Sequence, residues 1–134
     1  MVEGLLKGKR GLIMGVANNK SIAWGIAEAC SLAGAELAFT YQTDSLKKRL
    51  VPLAEGIGSE VLIECDVGNP DSIDSVFLNL QNLWGNIDFL VHAIGFSDKS
   101  ELRGRYISTS EENFTNTLSI STFSFTAVAQ RAEK

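Results

Sequence analysis

Hydrophobic residues along this chain gather into four short, nearly continuous runs that are separated by longer segments of mixed character. The first run, Gly-Leu-Ile-Met-Gly-Val, shows no alternation of apolar and polar positions, which is typical of a strand buried on both faces of a parallel sheet. Charged or turn-forming residues flank the runs. The pattern therefore predicts four buried strands, at residues 11–16, 36–41, 61–65 and 88–93.

The segments between the predicted strands repeat their apolar residues at helical spacing. Ser21, Asp44 and the pair Asn69-Pro70 stand where helices begin, because short polar side chains cap helices and proline suits the first turn. A last helix is predicted from Thr109, which has Glu112 three residues later in the capping-box arrangement, to the end of the chain. Strands and helices thus alternate along the sequence.

This alternation predicts an α/β fold with a doubly wound, Rossmann-like parallel sheet, in a single domain over residues 1–134. The strand order is 3-2-1-4 if the sheet follows the dinucleotide-binding pattern. The fourth strand would then lie at an open edge, and the last helix has no stop signal. We therefore expect the chain to be the N-terminal portion of a larger fold, which is truncated in this sequence.

Charge and composition narrow the class of protein. The chain carries 12 Lys and Arg against 16 Asp and Glu, a net charge of −4, whereas nucleic-acid binders carry a basic surface. No apolar run approaches a membrane span, and charges interrupt the start of the chain where a signal peptide needs apolar residues, so we expect a cytoplasmic protein. Cys30 and Cys65 lack the spacing of a metal or redox site and are expected to be free thiols, and no metal site is predicted.

The segment between the first predicted strand and the first predicted helix has features of a phosphate-binding turn. Gly15 allows a tight turn, Ser21 offers a hydroxyl group, and the helix N-terminus presents unpaired N–H groups at the positive end of its dipole. Gly25 is expected to let this helix approach a strand closely. Because the glycines are too far apart for the ordinary Gly-x-Gly-x-x-Gly motif, a simple capped turn remains the alternative.

The same segment, Gly-Val-Ala-Asn-Asn-Lys-Ser-Ile-Ala-Trp-Gly-Ile-Ala, resembles the bacterial NADH-dependent enoyl-acyl-carrier-protein reductases, a divergent group of the short-chain dehydrogenases. Four further blocks resemble that family in the same order: Ala-Glu-Leu-Ala-Phe-Thr-Tyr-Gln, Cys-Asp-Val, Val-His-Ala-Ile-Gly-Phe and Phe-Ser-Phe-Thr-Ala. The last block begins with Phe123, where the family often has a tyrosine. The resemblance covers essentially the whole chain. It implies an oxidoreductase of fatty acid biosynthesis that reduces the 2,3 double bond of trans-2-enoyl-acyl-carrier-protein with NADH.

The resemblance also implies which residues contact cofactor and substrate. It places the pyrophosphate at Gly15, Ser21 and Ile22, the adenosine ribose at Gln42, the adenine at Asp66 and Val67, the nicotinamide and its ribose at Ile94 and Gly95, and the acyl substrate near the backbone of Ser97. For Asp66, the alternative is a cap on the turn toward Asn69. These residues lie at or after the carboxyl ends of the four predicted strands.

The residues after the second predicted strand indicate which cofactor is preferred. Gln42-Thr43-Asp44 offers no cation for a 2′-phosphate and adds a carboxylate that would repel one, so NADH is predicted over NADPH. The basic run that follows, residues 47–49, is expected to be a solvated helix face, the alternative being a phosphate clamp.

The catalytic residues of the resembled family have no counterpart in this chain. That family stabilises the oxyanion with a tyrosine, assisted by a lysine seven positions later, and the resemblance puts both beyond Lys134. Tyr41 and Lys48 have this spacing, but Tyr41 ends the second predicted strand, at the adenosine end of the site. We therefore predict no catalytic residue and negligible enoyl reduction by these 134 residues. His92, the only histidine, is expected to be a packed neutral imidazole.

The resemblance implies enoyl-acyl-carrier-protein as substrate partner, no nucleic-acid or membrane partner, and a homo-oligomer, usually a tetramer in the family. Two other interpretations stay open. The first is another short-chain dehydrogenase, acting on a carbonyl. The second is a non-catalytic nucleotide-binding module that is complete at this length.

Overall fold

A computed structural model describes residues 4–134. Its strands are β1 (Arg10–Met14), β2 (Glu36–Tyr41), β3 (Val61–Glu64) and β4 (Phe89–His92). They form one parallel sheet in the order β3-β2-β1-β4, in which Leu12 of β1 pairs with Ala38 of β2 and Leu90 of β4. The predicted fold class and strand order are confirmed. Within residues 4–134, β4 pairs only with β1 and so lies at an edge of the sheet.

Helices connect the strands and extend beyond β4. They are α1 (Ile22–Leu32), α2 (Asp44–Gly56), α3 (Pro70–Trp84), α4 (Glu111–Leu118) and α5 (Ser124–Ala132). The Thr43 hydroxyl accepts from the Leu46 N–H at 3.3 Å, and the Asn69 side chain accepts from the Asp71 N–H at 3.0 Å. These bonds cap α2 and α3 where the sequence predicts their starts.

Successive residues of β1 point to opposite faces of the sheet, which divides the core into two layers. Leu12 and Met14 belong to the layer on the side of α3 and α5, whereas Ile13 belongs to the layer on the side of α1 and α2. All three side chains are at most 1% exposed. Burial on both faces therefore explains why β1 is apolar throughout.

The last predicted helix differs from the prediction in its start and its regularity. Ser110 rather than Thr109 is the N-cap, because the Ser110 hydroxyl accepts from the Asn113 N–H at 3.1 Å. The Thr109 hydroxyl instead donates to the Tyr106 carbonyl at 2.6 Å. A π-helical turn, Ser119–Phe123, separates α4 from α5 and is called the π-turn below. The chain is nevertheless helical without a gap from Glu111 to Ala132, so the last predicted helix is confirmed, and the π-turn within it is the feature that the sequence did not predict.

The expected packing role of Gly25 is also wrong. A Cβ atom on Gly25 would have no heavy atom within 4 Å, so α1 does not need a glycine there to approach a strand. Close packing of α1 comes instead from Ala23 and Ala27, which are 1% and 0% exposed. Gly25 lies on the exposed face of the helix.

Two further expectations concern membranes and thiols. None of the helices in the part of the chain that the structure describes is both long and apolar enough to cross a bilayer. Cys30 and Cys65 are free thiols, as predicted. Burial raises the pKa of both, so both thiols stay protonated at neutral pH.

Candidate functional site

The carboxyl ends of all four strands open into one cleft of about 500 Å³. Each strand contributes the residues that follow it, which include Gly15 after β1, Gln42 after β2, Asp66 and Val67 after β3, and Ile94 and Gly95 after β4. The order β3-β2-β1-β4 makes the space between β1 and β4 the point where the winding of the sheet reverses. Ligands of open α/β sheets bind at this position.

Gly15 brings the ends of β1 and β4 together. Its φ angle is 110°, in the left-handed region that favours glycine. A Cβ atom on Gly15 would lie only 2.0 Å from the carbonyl oxygen of Ala93. No side chain fits between these two backbones, so the β1–α1 turn depends on glycine at this position.

Ser21 organises the rest of the β1–α1 turn. It occupies the N-cap position of α1, yet its side chain makes no bond to the helix. Its hydroxyl oxygen accepts instead from the N–H groups of Ala17 at 2.9 Å and Asn18 at 3.0 Å. Because both bonds use the oxygen as an acceptor, the hydroxyl proton stays available to a ligand. The turn therefore presents a donor beside the positive end of α1, which is the chemistry that binds an anion such as a diphosphate.

The residues after β3 form a tight turn at the far side of the cleft. One carboxylate oxygen of Asp66 accepts from the Gly68 N–H at 2.9 Å, and the Asp66 N–H donates to the Ser72 hydroxyl at 2.9 Å. Asp66 therefore does shape the turn toward Asn69, the alternative that the sequence left open. Its other carboxylate oxygen accepts no hydrogen bond within residues 4–134 and stays free for an amine donor.

Three predicted contact residues lie away from the lining of the cleft. Ser21 and Ile22 sit at the start of α1, and Ile22 is 81% exposed. The Ser97 hydroxyl accepts from the side chains of Asn113 at 3.2 Å and Thr117 at 3.0 Å. Both bonds use the Ser97 oxygen as an acceptor and hold this side chain against α4, so a contact between the Ser97 backbone and a substrate stays a prediction.

Helix α4 and the π-turn add lining residues that sequence reasoning missed. Asn116 and Ile120 reach the cleft beside Gly95 and Phe96. They lie in the last predicted helix, whose position relative to the sheet depends on tertiary packing. No local pattern in the sequence marks either residue as part of a site.

His92 is held by packing and hydrogen bonding. Its Nε2 lies 2.7 Å from the hydroxyl oxygen of Ser124, and that hydroxyl donates to the Ile120 carbonyl at 2.5 Å. Ser124 has one proton to donate, so His92 Nε2 is the donor in their shared bond. Burial lowers the pKa of His92, and the imidazole is neutral at pH 7. The expectation of a packed neutral imidazole is confirmed.

A second cleft, of about 780 Å³, is larger but lies away from the carboxyl ends of the strands. It runs between α3 and the end of α5 and includes Ile87, the residue two before β4. Arg131 lies across it in an ion pair with Asp74 at 2.5 Å. None of its lining residues directly follows a strand. We therefore assign the candidate site to the cleft at the strand ends, where backbone donors and a glycine turn converge.

Metal chemistry has no support in the described part of the chain, residues 4–134. No three His, Cys, Asp or Glu side chains come close enough there to hold an ion.

Comparison with known proteins gives a consistent result. The family model described as enoyl-(acyl carrier protein) reductase matches residues 15–134. The NADH enoyl-acyl-carrier-protein reductase 1 of Rhizobium meliloti is 60% identical over 132 residues, which are 98% of this chain and 48% of that protein. The NADH enoyl-acyl-carrier-protein reductase FabI of Rickettsia bellii is 52% identical over 134 residues, which are 100% of this chain and 51% of that protein.

Solved structures agree with the sequence matches. A crystal structure of the enoyl-acyl-carrier-protein reductase from Anaplasma phagocytophilum in complex with NAD has a TM-score of 0.94 and 50% identity, over 98% of this chain and 50% of that one. The chain spans about half the length of the curated relatives it matches. On the fold, the family model and these identities, the chain belongs to the enoyl-acyl-carrier-protein reductase family.

Proposed function

We propose that residues 1–134 are the NAD-binding portion, in a single domain, of an NADH-dependent enoyl-acyl-carrier-protein reductase. The relatives are named NADH enoyl-acyl-carrier-protein reductases, and the family resemblance implies reduction of the 2,3 double bond of trans-2-enoyl-acyl-carrier-protein in fatty acid biosynthesis. The observation that carries the proposal is the cleft at the switch point, with Gly15 against Ala93 and the free Ser21 proton at the start of α1.

The diphosphate is assigned to the β1–α1 turn. The Ser21 hydroxyl donates to it, the first N–H groups of α1 from Ile22 onward face it, and Gly15 keeps the turn open. This assignment needs no side chain to move, because the Ser21 oxygen is already fixed by Ala17 and Asn18.

The two ends of the dinucleotide are assigned to opposite ends of the strand order. The adenosine ribose lies at Gln42 and the adenine at Asp66 and Val67, beyond β2 and β3. The nicotinamide and its ribose lie at Ile94 and Gly95, beyond β4. The backbone of Ser97 follows, on the side where the acyl substrate approaches.

NADH is proposed over NADPH on the charges beside Gln42. The exposed carboxylate of Asp44 starts α2 two residues later. The Lys47 ammonium lies 5.4 Å from the centre of the Tyr41 ring, which is a cation–π distance. Its positive charge is therefore already partly paired with that ring. A carboxylate at Asp44, with no arginine in residues 42–46 directly after β2, disfavours a 2′-phosphate.

When bound, NADH supplies the hydride. The residues of this chain bind and orient it. Tyr41, the one tyrosine here with a lysine seven positions on, ends β2, and β1 lies between β2 and β4. It is therefore too far from the nicotinamide side to stabilise an oxyanion. We propose that these 134 residues bind NADH but turn over no enoyl thioester.

The same proposal includes a cytoplasmic, homotetrameric enzyme. It acts on enoyl-acyl-carrier-protein and has no nucleic-acid or membrane partner. Support for assembly comes from α4 and α5, where three large apolar side chains are about half exposed: Phe114 at 47%, Leu118 at 48% and Phe125 at 54%. Exposed apolar patches of this kind mark protein–protein contacts.

Calorimetric titration of the purified chain with NADH, NADPH and ADP-ribose tests the proposal. We expect NADH and ADP-ribose to bind at one site and NADPH to bind more weakly. A parallel assay with crotonyl thioester and NADH is expected to give no turnover above the rate without protein. Absence of NADH binding would contradict the proposed function, and measurable turnover would contradict the assignment of catalysis to residues outside this chain.

A further inference from the structure

A row of polar side chains on α4 and the π-turn faces the segment that follows β4. Asn113, Thr117 and Ser121 stand four residues apart, so they share one side of the helix. All three form hydrogen bonds to residues 96–98. We call these three residues the polar row.

Ser121 holds the backbone of Phe96 on both sides of the residue. Its hydroxyl oxygen accepts from the Phe96 N–H at 3.0 Å, and the hydroxyl donates to the Phe96 carbonyl at 3.1 Å. One side chain thereby satisfies the donor and the acceptor of a residue that has left the sheet. A neighbouring strand would ordinarily supply both partners.

Asn113 and Thr117 hold the next two residues. The Asn113 side-chain oxygen accepts from the Asp98 N–H at 3.0 Å. Thr117 and the Asn113 amide group both donate to the Ser97 hydroxyl, at 3.0 Å and 3.2 Å. The segment from Phe96 to Asp98 is therefore attached to the helix by every member of the polar row.

This attachment forms one wall of the cleft. Ile94, Gly95 and Phe96 line the cleft directly, and Ile120 of the π-turn lines it next to them. A Cβ atom on Gly95 would lie 3.8 Å from the Ser121 hydroxyl oxygen, so Ser121 sits against the lining residue itself. The polar row thus sets the separation between the end of β4 and the helix.

The π-turn contributes to this arrangement. Ser121 bonds to Phe96, and Ser124, three residues later, bonds to His92 of β4. A π-helical turn takes in one more residue than an α-helical turn, and such turns recur at functional sites. Here the widened turn directs two hydroxyl groups to β4 and to the segment after it.

We propose that Ser121, supported by Thr117 and Asn113, is a positioning residue for the nicotinamide side of the site. It fixes the backbone of residues 94–96 at the place where the nicotinamide and its ribose bind. The inference rests on the proposed function, because it concerns the NADH assigned to this cleft. It adds that affinity for the nicotinamide half depends on helix side chains that lie 15 to 25 residues from their partners in sequence, whereas affinity for the ADP-ribose half does not.

Matched variants separate this role from a general effect on folding. Ser121→Ala removes both bonds to Phe96, and Ser121→Thr keeps the hydroxyl group. Thr122→Ala removes a hydroxyl from the neighbouring, exposed position of the π-turn. Each variant is titrated with NADH and with ADP-ribose, and the exchange rate of the Phe96 amide proton is measured by NMR.

We expect Ser121→Ala to weaken NADH binding about tenfold, the effect of losing one to two hydrogen bonds. Its affinity for ADP-ribose stays at the wild-type value, and its Phe96 amide exchanges faster. Ser121→Thr restores NADH binding, and Thr122→Ala matches the wild type in all three measurements. Retained ADP-ribose binding also certifies that the variant is folded.

Other outcomes overturn the inference. If Ser121→Ala binds NADH as tightly as the wild type, or loses NADH and ADP-ribose in equal measure, Ser121 does not position the nicotinamide side. Should Ser121→Ala fail to fold, Thr117→Ala is compared in the same way and is expected to weaken NADH binding alone. A wild-type chain that binds neither ligand contradicts the proposed function itself, which distinguishes that failure from failure of the inference.

Discussion

The two sides of the cleft are built in different ways. At the β1–α1 turn, Gly15 and Ser21 lie six residues apart, and the hydroxyl of Ser21 bonds to backbone groups three and four residues before it. At the end of β4, Phe96 is held by Ser121, 25 residues further along the chain. The first side is local backbone geometry, and the second is tertiary packing between a loop and a helix.

This difference indicates which side of the cleft is rigid and which side can change its conformation. The β1–α1 turn is fixed by the close approach of Gly15 to Ala93 and by the two backbone N–H groups bonded to Ser21, which leave it few alternative conformations. A loop held by three hydroxyl and amide groups of another element moves whenever that element moves. We therefore expect the diphosphate side to be rigid and the nicotinamide side to be the adjustable part of the cleft.

The largest expected effect comes from substituting Gly15. Ala at this position places its Cβ against the Ala93 carbonyl in addition to requiring positive φ, so β1 and β4 must separate. A penalty of about 3 kcal/mol corresponds to a loss of NADH affinity of about a hundredfold or more. Titration calorimetry measures the loss.

Gly25→Ala is the matched control for that substitution. Its new methyl group meets nothing within 4 Å, and alanine is the better helix former by about 0.5–1 kcal/mol. Unchanged NADH affinity and a slightly raised melting temperature are expected. Wild-type binding by Gly15→Ala would show that the close approach of β1 and β4 is unnecessary.

A smaller effect is expected from Ser21→Ala. The substitution removes the acceptor for the Ala17 and Asn18 N–H groups and the proton offered to the diphosphate. We expect about a tenfold loss of affinity for NADH and an equal loss for ADP-ribose, since both carry the diphosphate. The equality distinguishes this side of the cleft from the Ser121 side. Ser31→Ala, near the other end of α1, serves as control, and a selective loss of NADH alone would argue against the assignment.

Cofactor preference provides a third test. Gln42→Arg adds a guanidinium where a 2′-phosphate would lie, so affinity for NADPH is expected to rise about tenfold while affinity for NADH changes little. Lys48→Ala, on the exposed face of α2, is expected to alter neither. Parallel titrations with the two cofactors measure the ratio. A strong loss of NADPH binding in Lys48→Ala would instead favour the phosphate clamp that the basic run offers.

The smallest expected effect is a pH dependence of stability that arises from His92. Burial lowers the pKa of His92 in the folded chain below its ordinary value of 6.5. The unfolded chain therefore binds more protons between the folded pKa and 6.5, and the free energy of unfolding decreases as the pH falls through that window.

Urea unfolding at pH 7.5 and at successively lower pH measures this decrease. His92 is the only histidine, so His92→Gln is expected to remove the dependence above the range where carboxylates titrate. The pKa values of Asp88 and Asp98 are lowered by their hydrogen bonds, so their contributions disappear only in more acidic solution. A His92→Gln variant with the wild-type pH profile would place the titrating group elsewhere.

Much of the fold was predictable because its signals are local. The apolar runs, the start of α2 at Asp44, the cap at Asn69 and the glycine turn at Gly15 each depend on a few neighbouring residues, although the cap of α2 is Thr43 and not Asp44. Parallel strands then bring their carboxyl ends to one edge, which is why Gln42, Asp66 and Ile94 meet at the cleft.

Most of the unpredicted features depend on contacts between distant segments, and the cap of α4 is the local exception. Ser110 rather than Thr109 caps α4, because the Ser110 hydroxyl accepts from the Asn113 N–H whereas the Thr109 hydroxyl donates to the Tyr106 carbonyl. The π-turn occurs where Ser121 bonds to Phe96 and Ser124 bonds to His92. The periodicity of the sequence does not predict these partners. Gly25 faces outward because Ala23 and Ala27 take the packed face of α1, a choice of helix rotation that the spacing of small residues alone leaves open.

The most direct measurement is a crystal structure of the chain grown with NADH. We predict electron density for the diphosphate at the first N–H groups of α1 and the Ser21 hydroxyl, with the nicotinamide beside Ile94 and Gly95 and the adenine beside Asp66. Dinucleotide bound in the cleft between α3 and α5, or a β1–α1 turn closed over by its own side chains, would contradict the account.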